Sequence, residues 1–287
     1  MSRYGRRRLL AAMAGLLVAG GIGIALATLP GGHAQPAADT RPIGSAAALA
    51  SEDASAAPEL AASAARRIPK LIATQGDGPV FEVRGRTIER IVPPRGKGRV
   101  ALTFDDGPGP YTAQVLAELR SLHVRATFFV VGHNAGVSPG IVQALRAAGM
   151  VVGNHSWSHP DLTKLSLAKQ RVQLRRTQDL LERTIGQRPR FFRPPAWAWN
   201  RSTARAVAEE GMIGVLFSVD TRDWSRPGVT AIVRQALTAR DGQIIALHDA
   251  GGDREQTVQA LPLIVKGLRA RGLEPVTLDE LFQKMPS

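Results

Sequence analysis

From Arg99 onward, short apolar runs alternate with amphipathic stretches of helical length, and this alternation limits the possible folds more than any other feature of the chain. Strands are expected at Val100 to Phe104, Ala126 to Val131, Met150 to Gly153, Phe191 to Arg193, Ile213 to Val219, Gln243 to Leu247 and Pro275 to Thr277. Helices are expected between them, at Tyr111 to Leu122, Pro139 to Ala148, Ser166 to Ile185, Ser202 to Glu210, Gly228 to Ala239 and Gln256 to Arg271. Ser166 and Asn200 suit N-caps, and Gly149, Gly186, Gly211 and Gly272 suit helix ends. The pattern reads as an α/β fold, a deformed (β/α) barrel with about seven parallel strands, short of the usual eight repeats. An open doubly wound sheet is the alternative. Its nucleotide-binding form finds no support, because no Gly-x-Gly-x-x-Gly or Walker-type lysine loop follows the first strand.

Before this region the chain changes character twice. Arg3, Arg6, Arg7 and Arg8 precede an uncharged apolar run from Leu9 to Leu29, the pattern of an export segment. Residues 1–34 are therefore expected to be a signal peptide or a retained signal anchor, since 21 apolar residues are also enough to span a bilayer. The Arg6-Arg7-Arg8-Leu9-Leu10 run also admits a twin-arginine route. Residues 35–67, rich in Ala, Ser and Pro, are expected to be a disordered tether. Residues 68–98 form a lead-in with short strand-like pieces at Val80 to Val83 and Thr87 to Val92, and the catalytic domain is expected to span 99–284. The chain is expected to be secreted or extracytoplasmic.

The 287 residues include no cysteine, which excludes disulfides, thiolate nucleophiles and thiolate metal sites. Any metal must be held by His, Asp or Glu. The formal charge of +13, less the four leading arginines, leaves +9, a surface suited to anionic partners such as cell-wall polymers. Nucleic acid is not expected as a partner, because the basic residues are scattered rather than gathered with aromatics. Contact with a membrane is expected only through an uncleaved N-terminal anchor.

The unusual polar residues fall at the ends of the expected strands. Asp105 and Asp106 follow the first, His155 and His159 the third, Arg193 closes the fourth, Asp220 and Asp223 follow the fifth, and His248 and Asp249 the sixth. In an α/β barrel these positions converge on one face. Adjacent carboxylates at a strand end point to different sides, so one is able to hold a metal while the other faces a reacting water. Imidazoles four residues apart are able to aim at one point from a helical turn or a tight loop. Two imidazoles and a carboxylate make a three-ligand site with an open position.

Thr103-Phe104-Asp105-Asp106-Gly107-Pro108 and His155-Ser156-Trp157-Ser158-His159, with three later motifs in the same order, make residues 99–282 resemble the NodB-type polysaccharide deacetylases of carbohydrate esterase family 4. The resemblance implies the NodB homology fold and a hydrolase that releases acetate from N-acetylhexosamine units, with cell-wall peptidoglycan favoured and chitin-like oligomers next. It implies that Asp106, His155 and His159 bind one divalent metal ion, Zn²⁺ before Co²⁺ or Ni²⁺. It implies that Asp105 is the general base, that Arg193 orients it, and that Asp223 supports His248 as the general acid. The backbone N–H of Ala196 would hold the oxyanion, and Trp224 and Ala246 would flank the acetyl methyl. An acetylated polysaccharide is then the expected partner of a monomer.

Two positions depart from the family pattern. Ala196-Trp197 stand where Tyr-Gly is usual after Arg-Pro-Pro, and Ala246 replaces a leucine, so the groove wall and the acetyl pocket are expected to differ. Trp157, Trp197 and Trp199 offer faces for sugar stacking, with core packing the alternative for Trp199, while Phe128, Phe129 and Phe191 are expected in the core. The rival readings are an O-acetyl esterase acting on acetylated xylan and an inactive carbohydrate-binding relative.

Overall fold

A strand buried on both faces sends alternate side chains to two different cores, and this is how the central strand sorts its residues. In the computed structural model, which describes residues 80–84, 87–91 and 98–282, that strand is β3 (Arg99–Asp105). Its Val100, Leu102 and Phe104 join an outer core beneath the helices, whereas Ala101 joins a separate inner core. The same division runs through β4 (Thr127–Val130) and β9 (Ile244–His248). Phe128 and Ile245 face outward, Phe129 and Ile244 inward.

The main sheet is entirely parallel. Along it run β7 (Ile213–Gly214), β6 (Phe191–Phe192), β5 (Val151–Asn154), β4, β3, β9 and β8 (Val219–Asp220), while β10 (Glu274–Val276) pairs with the start of β3. Apart from β10, neighbours in space are neighbours in sequence around a ring, the order of a barrel rather than of a doubly wound sheet. The ring is open between β7 and β8, giving a curled half-barrel. One expected strand, Ile213 to Val219, is therefore two short ones at opposite edges. The chain between them crosses the opening, where the carbonyls of Val215 and Leu216 accept from the Arg193 guanidinium instead of from a strand.

Helices α1 (Thr112–Ser121), α2 (Gly132–Val137), α3 (Pro139–Ala147), α4 (Leu167–Ile185), α5 (Arg201–Glu209), α6 (Val229–Ala236) and α7 (Glu255–Ala270) lie along the chain between the strands. Their ends follow local chemistry. Ser166 and Asn200 accept from the amides of Lys169 and Thr203 as N-caps, and the four glycines expected at helix ends all follow helices with positive φ. Helix α2 was not expected, because Gly132-His133-Asn134-Ala135-Gly136-Val137 has no apolar periodicity and, with two glycines, Ala135 as its one strong helix former.

The last element, α8 (Leu278–Leu281), closes the bottom of the half-barrel. Leu278, Leu281 and Phe282 pack into the inner core with Phe129 and Phe191, and Thr277 and Glu280 form a capping box. A fully buried leucine contributes about 2–3 kcal/mol here, so four residues of helix suffice as a plug.

In the lead-in, β1 (Val80–Arg84) and β2 (Thr87–Ile91) pair antiparallel. The expected export segment and tether lie outside the described residues. Among the described residues no helix is long and apolar enough to cross a membrane.

Candidate active site

Asp105 is the last residue of β3, and strand alternation aims it inward with Thr103 and Ala101. It is almost fully buried, and Arg193 Nη1 donates to its Oδ1 at 2.8 Å. Its Oδ2, also buried, has no hydrogen-bond partner among the described residues. Arg193 has no exposed surface. Its guanidinium stacks 4.3 Å from the centre of the Phe129 ring and also donates to Thr103 Oγ1 at 2.7 Å, besides the carbonyls of Val215 and Leu216. Burial lowers the pKa of Arg193, and the Asp105 carboxylate opposes that.

Asp106 leaves the strand with φ 75°, a left-handed turn that swings its side chain away from that of Asp105. Asn134 Nδ2 donates to its carbonyl at 3.0 Å. Asp106 Oδ1 lies 3.5 Å from His155 Nε2 and 3.2 Å from His159 Nε2. The two histidines come from one tight loop after β5. Ser156 and His159 both have positive φ, Asn154 Oδ1 accepts from the Ser156 amide, and Gln173 Oε1 accepts from the amides of Trp157 and Ser158. Asn154 and Gln173 were missed by the sequence reading, although a buried Asn closing an apolar strand just before the first histidine was a usable signal.

The donor set fits a cation. His155 Nδ1 lies 2.8 Å from the Arg193 carbonyl, which only accepts, so that nitrogen carries hydrogen and Nε2 is the ring atom turned toward Asp106. The ligand atoms of Asp106, His155 and His159 all lie within 4.8 Å of one another. Acceptors this close require a shared proton or a metal. The same demand appears in the titration: His159 is raised by its hydrogen bond to Asp106, and Asp106, despite burial that would raise it, is held far below the carboxylate range by His155 and His159.

His248 ends β9 in register with Asp105. Asp223, on the turn after β8, grips it twice: Oδ1 lies 2.8 Å from His248 Nδ1, and Oδ2 accepts the His248 amide at 2.8 Å. Thr257, Thr221 and the Trp224 amide also donate to Asp223. Burial disfavours the imidazolium, but the hydrogen bond and charge of Asp223, with Asp105 and Asp106 beyond, push His248 up to about 9. Burial would raise Asp223, but His248 and Thr257 hold it low.

The remaining predicted residues are distributed unevenly. Ala196 is exposed with φ 50°, and Trp197 follows at φ 55°, its ring edge-on to Phe217 at 4.7 Å. Trp224 is 43% exposed beside Asp223, whereas Ala246 is wholly buried on the inner face of β9, one layer below His248. Trp157 is not the open platform expected for sugar stacking. Arg176 covers one face at 3.7 Å, and His133 meets it edge-on. Trp199 is core: it packs so closely on Gly214 that a β-carbon there would lie 2.4 Å from the indole. Asp220 stays outside the cluster, half-buried, and its pKa is raised by burial. Asp249, fully buried, accepts from Thr112 and is pushed up to about 7 by burial. A cavity of about 600 Å³ opens over Asp106 and His159 and extends along His133, Asn134, Ser158 and Gly251.

The polysaccharide deacetylase family profile matches residues 93–215. A peptidoglycan-N-acetylglucosamine deacetylase of Bacillus cereus is 37% identical over 193 residues, which is 66% of this chain and 70% of that protein. A chitooligosaccharide deacetylase of Bradyrhizobium is 36% identical over 200 residues, 65% of this chain and 91% of that protein. The crystal structure of the Bc1960 peptidoglycan N-acetylglucosamine deacetylase, in complex with 4-naphthalen-1-yl-N-oxidanyl-benzamide, superposes with a TM-score of 0.65 at 36% identity, covering 67% of this chain and 92% of that one.

Proposed function

Because the chain belongs to the polysaccharide deacetylases of carbohydrate esterase family 4, hydrolases of carbon–nitrogen bonds, we propose that it removes the N-acetyl group from N-acetylhexosamine units of a cell-wall glycan outside the cytoplasm, with peptidoglycan ahead of chitin-like oligomers. The observation that carries this reading is the register pairing of Asp105 with His248 on adjacent strands. Each is backed by an opposite charge, Arg193 for the carboxylate and Asp223 for the imidazole. A base and an acid at one level, beside a three-ligand cluster, are what amide hydrolysis requires.

Asp106, His155 and His159 would hold one divalent ion, Zn²⁺ by donor type, with Co²⁺ and Ni²⁺ accepted by the same set. When bound, such an ion supplies Lewis acidity that polarises a carbonyl and eases the ionisation of water. Asp105 takes the proton of the attacking water at Oδ2, the oxygen that Arg193 leaves free. The Ala196 N–H donates to the carbonyl oxygen as it gains charge. His248, with Nδ1 held by Asp223, gives its Nε2 proton to the departing nitrogen, and acetate and a free amine result. Trp224 stands at the lip for the acetyl group and Trp197 along the groove, while Ala246 lies buried beneath His248.

The preference for peptidoglycan is supported by the apolar export run, by the net positive charge, and by the named activity of the Bacillus cereus relative. The Bradyrhizobium relative supports the chitin-like alternative. Acetate release from peptidoglycan, chitin oligomers and acetylxylan, each with and without chelator, tests the proposal. Peptidoglycan should give the highest rate, lost with the metal and restored by Zn²⁺. Equal rates after verified metal removal would overturn the metal role, and a clear preference for acetylxylan would overturn the substrate.

A further inference from the structure

Asp106 must present one carboxylate oxygen to two histidines, and its own contacts do not explain what stops the group from rotating. The opposing wall does. After His248 the chain turns through Asp249-Ala250-Gly251-Gly252-Asp253-Arg254, and the backbone of Gly251 lies against Asp106 so closely that a β-carbon there would be 2.5 Å from Oδ2. The same β-carbon would be 3.5 Å from Arg254 Nη2, so carboxylate and guanidinium both lie where a side chain of Gly251 would project.

Arg254 is buried, and it spends its donors on its own loop: Nε to the Ala250 carbonyl at 2.8 Å, Nη1 to Asp253 at 3.0 Å and Nη2 to Gly251 at 3.0 Å. It forms no ion pair among the described residues. A buried guanidinium without a carboxylate is costly unless its position matters, and here its fork fixes the one backbone segment that faces the Asp106 side chain.

The geometry points to Arg254 as a positioning residue that acts through Gly251: by holding the loop rigid it blocks Oδ2 and keeps Oδ1 turned to His155 and His159. This rests on the reading of Asp106, His155 and His159 as a metal site. Residues that orient a ligand from behind typically change metal affinity by about 10- to 100-fold when altered.

The test is the metal affinity of the whole chain, stripped and titrated with Zn²⁺ against a chromophoric chelator, alongside the melting temperature of the metal-free form. Gly251→Ala, which adds the obstructing β-carbon, and Arg254→Ala, which frees the loop, should each weaken binding by about 10- to 100-fold. Gly252→Ala is the control, because its φ of 139° makes an alanine there at least as strained while its β-carbon would meet only Arg254, at 3.5 Å. It should lower the melting temperature and leave affinity near that of the parent. Should Arg254→Ala fail to fold, Gly251→Ala carries the test. Parental affinity in folded Arg254→Ala or in folded Gly251→Ala, or an equal loss in Gly252→Ala, overturns the positioning role. A parent that binds no Zn²⁺ overturns the metal reading itself, and this proposal with it.

Discussion

The two ends of the half-barrel solve the same turning problem differently. Where the chain enters β5, β7 and β10, at the floor, the left-handed turn residue is a glycine, Gly149, Gly211 and Gly272, whereas ahead of β4 it is His123. Where it leaves the strands, at the rim, left-handed backbone is carried mainly by residues with side chains, Asp106, Ser156, His159, Ala196, Trp197, Arg222 and Arg226, with Gly228, Gly251 and Gly252 beside them. A side chain in that region costs on the order of 1 kcal/mol that glycine avoids. The floor needs only a turn and takes the relaxed solution, whereas the rim needs a side chain at the turn and accepts the strain. Burial shows the same contrast: the floor is plugged by Leu278, Leu281 and Phe282, and the rim buries Asp105, Arg193, Asp223 and Asp249.

If the ends divide labour in this way, changes at the rim should alter rate per folded molecule and changes at the floor should alter stability alone. Asp105→Asn is expected to lower kcat by about 10³-fold, the usual worth of a positioned base. It should also reduce stability, because Arg193 becomes a buried cation facing a neutral amide. Leu281→Ala is expected to cost about 2–5 kcal/mol from the cavity it leaves, with kcat per folded molecule essentially that of the parent. Acetate release and thermal unfolding on both variants check this. A floor variant that slows catalysis as much as the rim variant would break the distinction.

This division also explains what was legible in the sequence. The apolar alternation from Val100 onward gave the barrel order, because strand and helix periods are local properties. The opposed aims of Asp105 and Asp106 could be read as well, since successive strand-end residues diverge. The split of Ile213 to Val219 could not be read, because Val215, Leu216 and Phe217 look like continuous strand and only the distant Arg193 takes the Val215 and Leu216 carbonyls out of the ladder. Trp157 was misjudged for the same reason: Arg176, nineteen positions on, covers it. Gln173 and Arg254 gave no signal, since their work is done on backbone amides and carbonyls that no motif encodes.

A finer test at the rim is pH. His248, raised to about 9, acts as an acid only while protonated, so activity should fall as pH rises through about 9. The linkage has the same sign: a raised folded pKa contributes stability that is complete below the ordinary histidine value of 6.5 and lost as pH passes about 9. Asp223→Asn removes the charge behind Nδ1 and should move the alkaline limb of kcat toward neutrality by about 1–2 pH units. An unmoved limb would mean that another group sets it.

The smallest effect is the most direct probe of the strain itself. Ala196→Gly keeps the N–H proposed to face the oxyanion and removes only a β-carbon from a residue at φ 50°. Relief of the left-handed penalty, worth on the order of 1 kcal/mol, is nearly offset by the greater freedom glycine has in the unfolded chain. Unfolding should therefore shift little, toward higher stability if at all. If the side chain at this turn is what holds the donor still, kcat should nevertheless fall, by about 3- to 10-fold, with KM nearly unchanged, because a looser N–H weakens stabilisation of the charged transition state far more than it weakens substrate binding. Equal kcat in the two proteins would show that the rim turns at Ala196 for a reason other than aim, and that strain alone does not mark the catalytic end of the barrel.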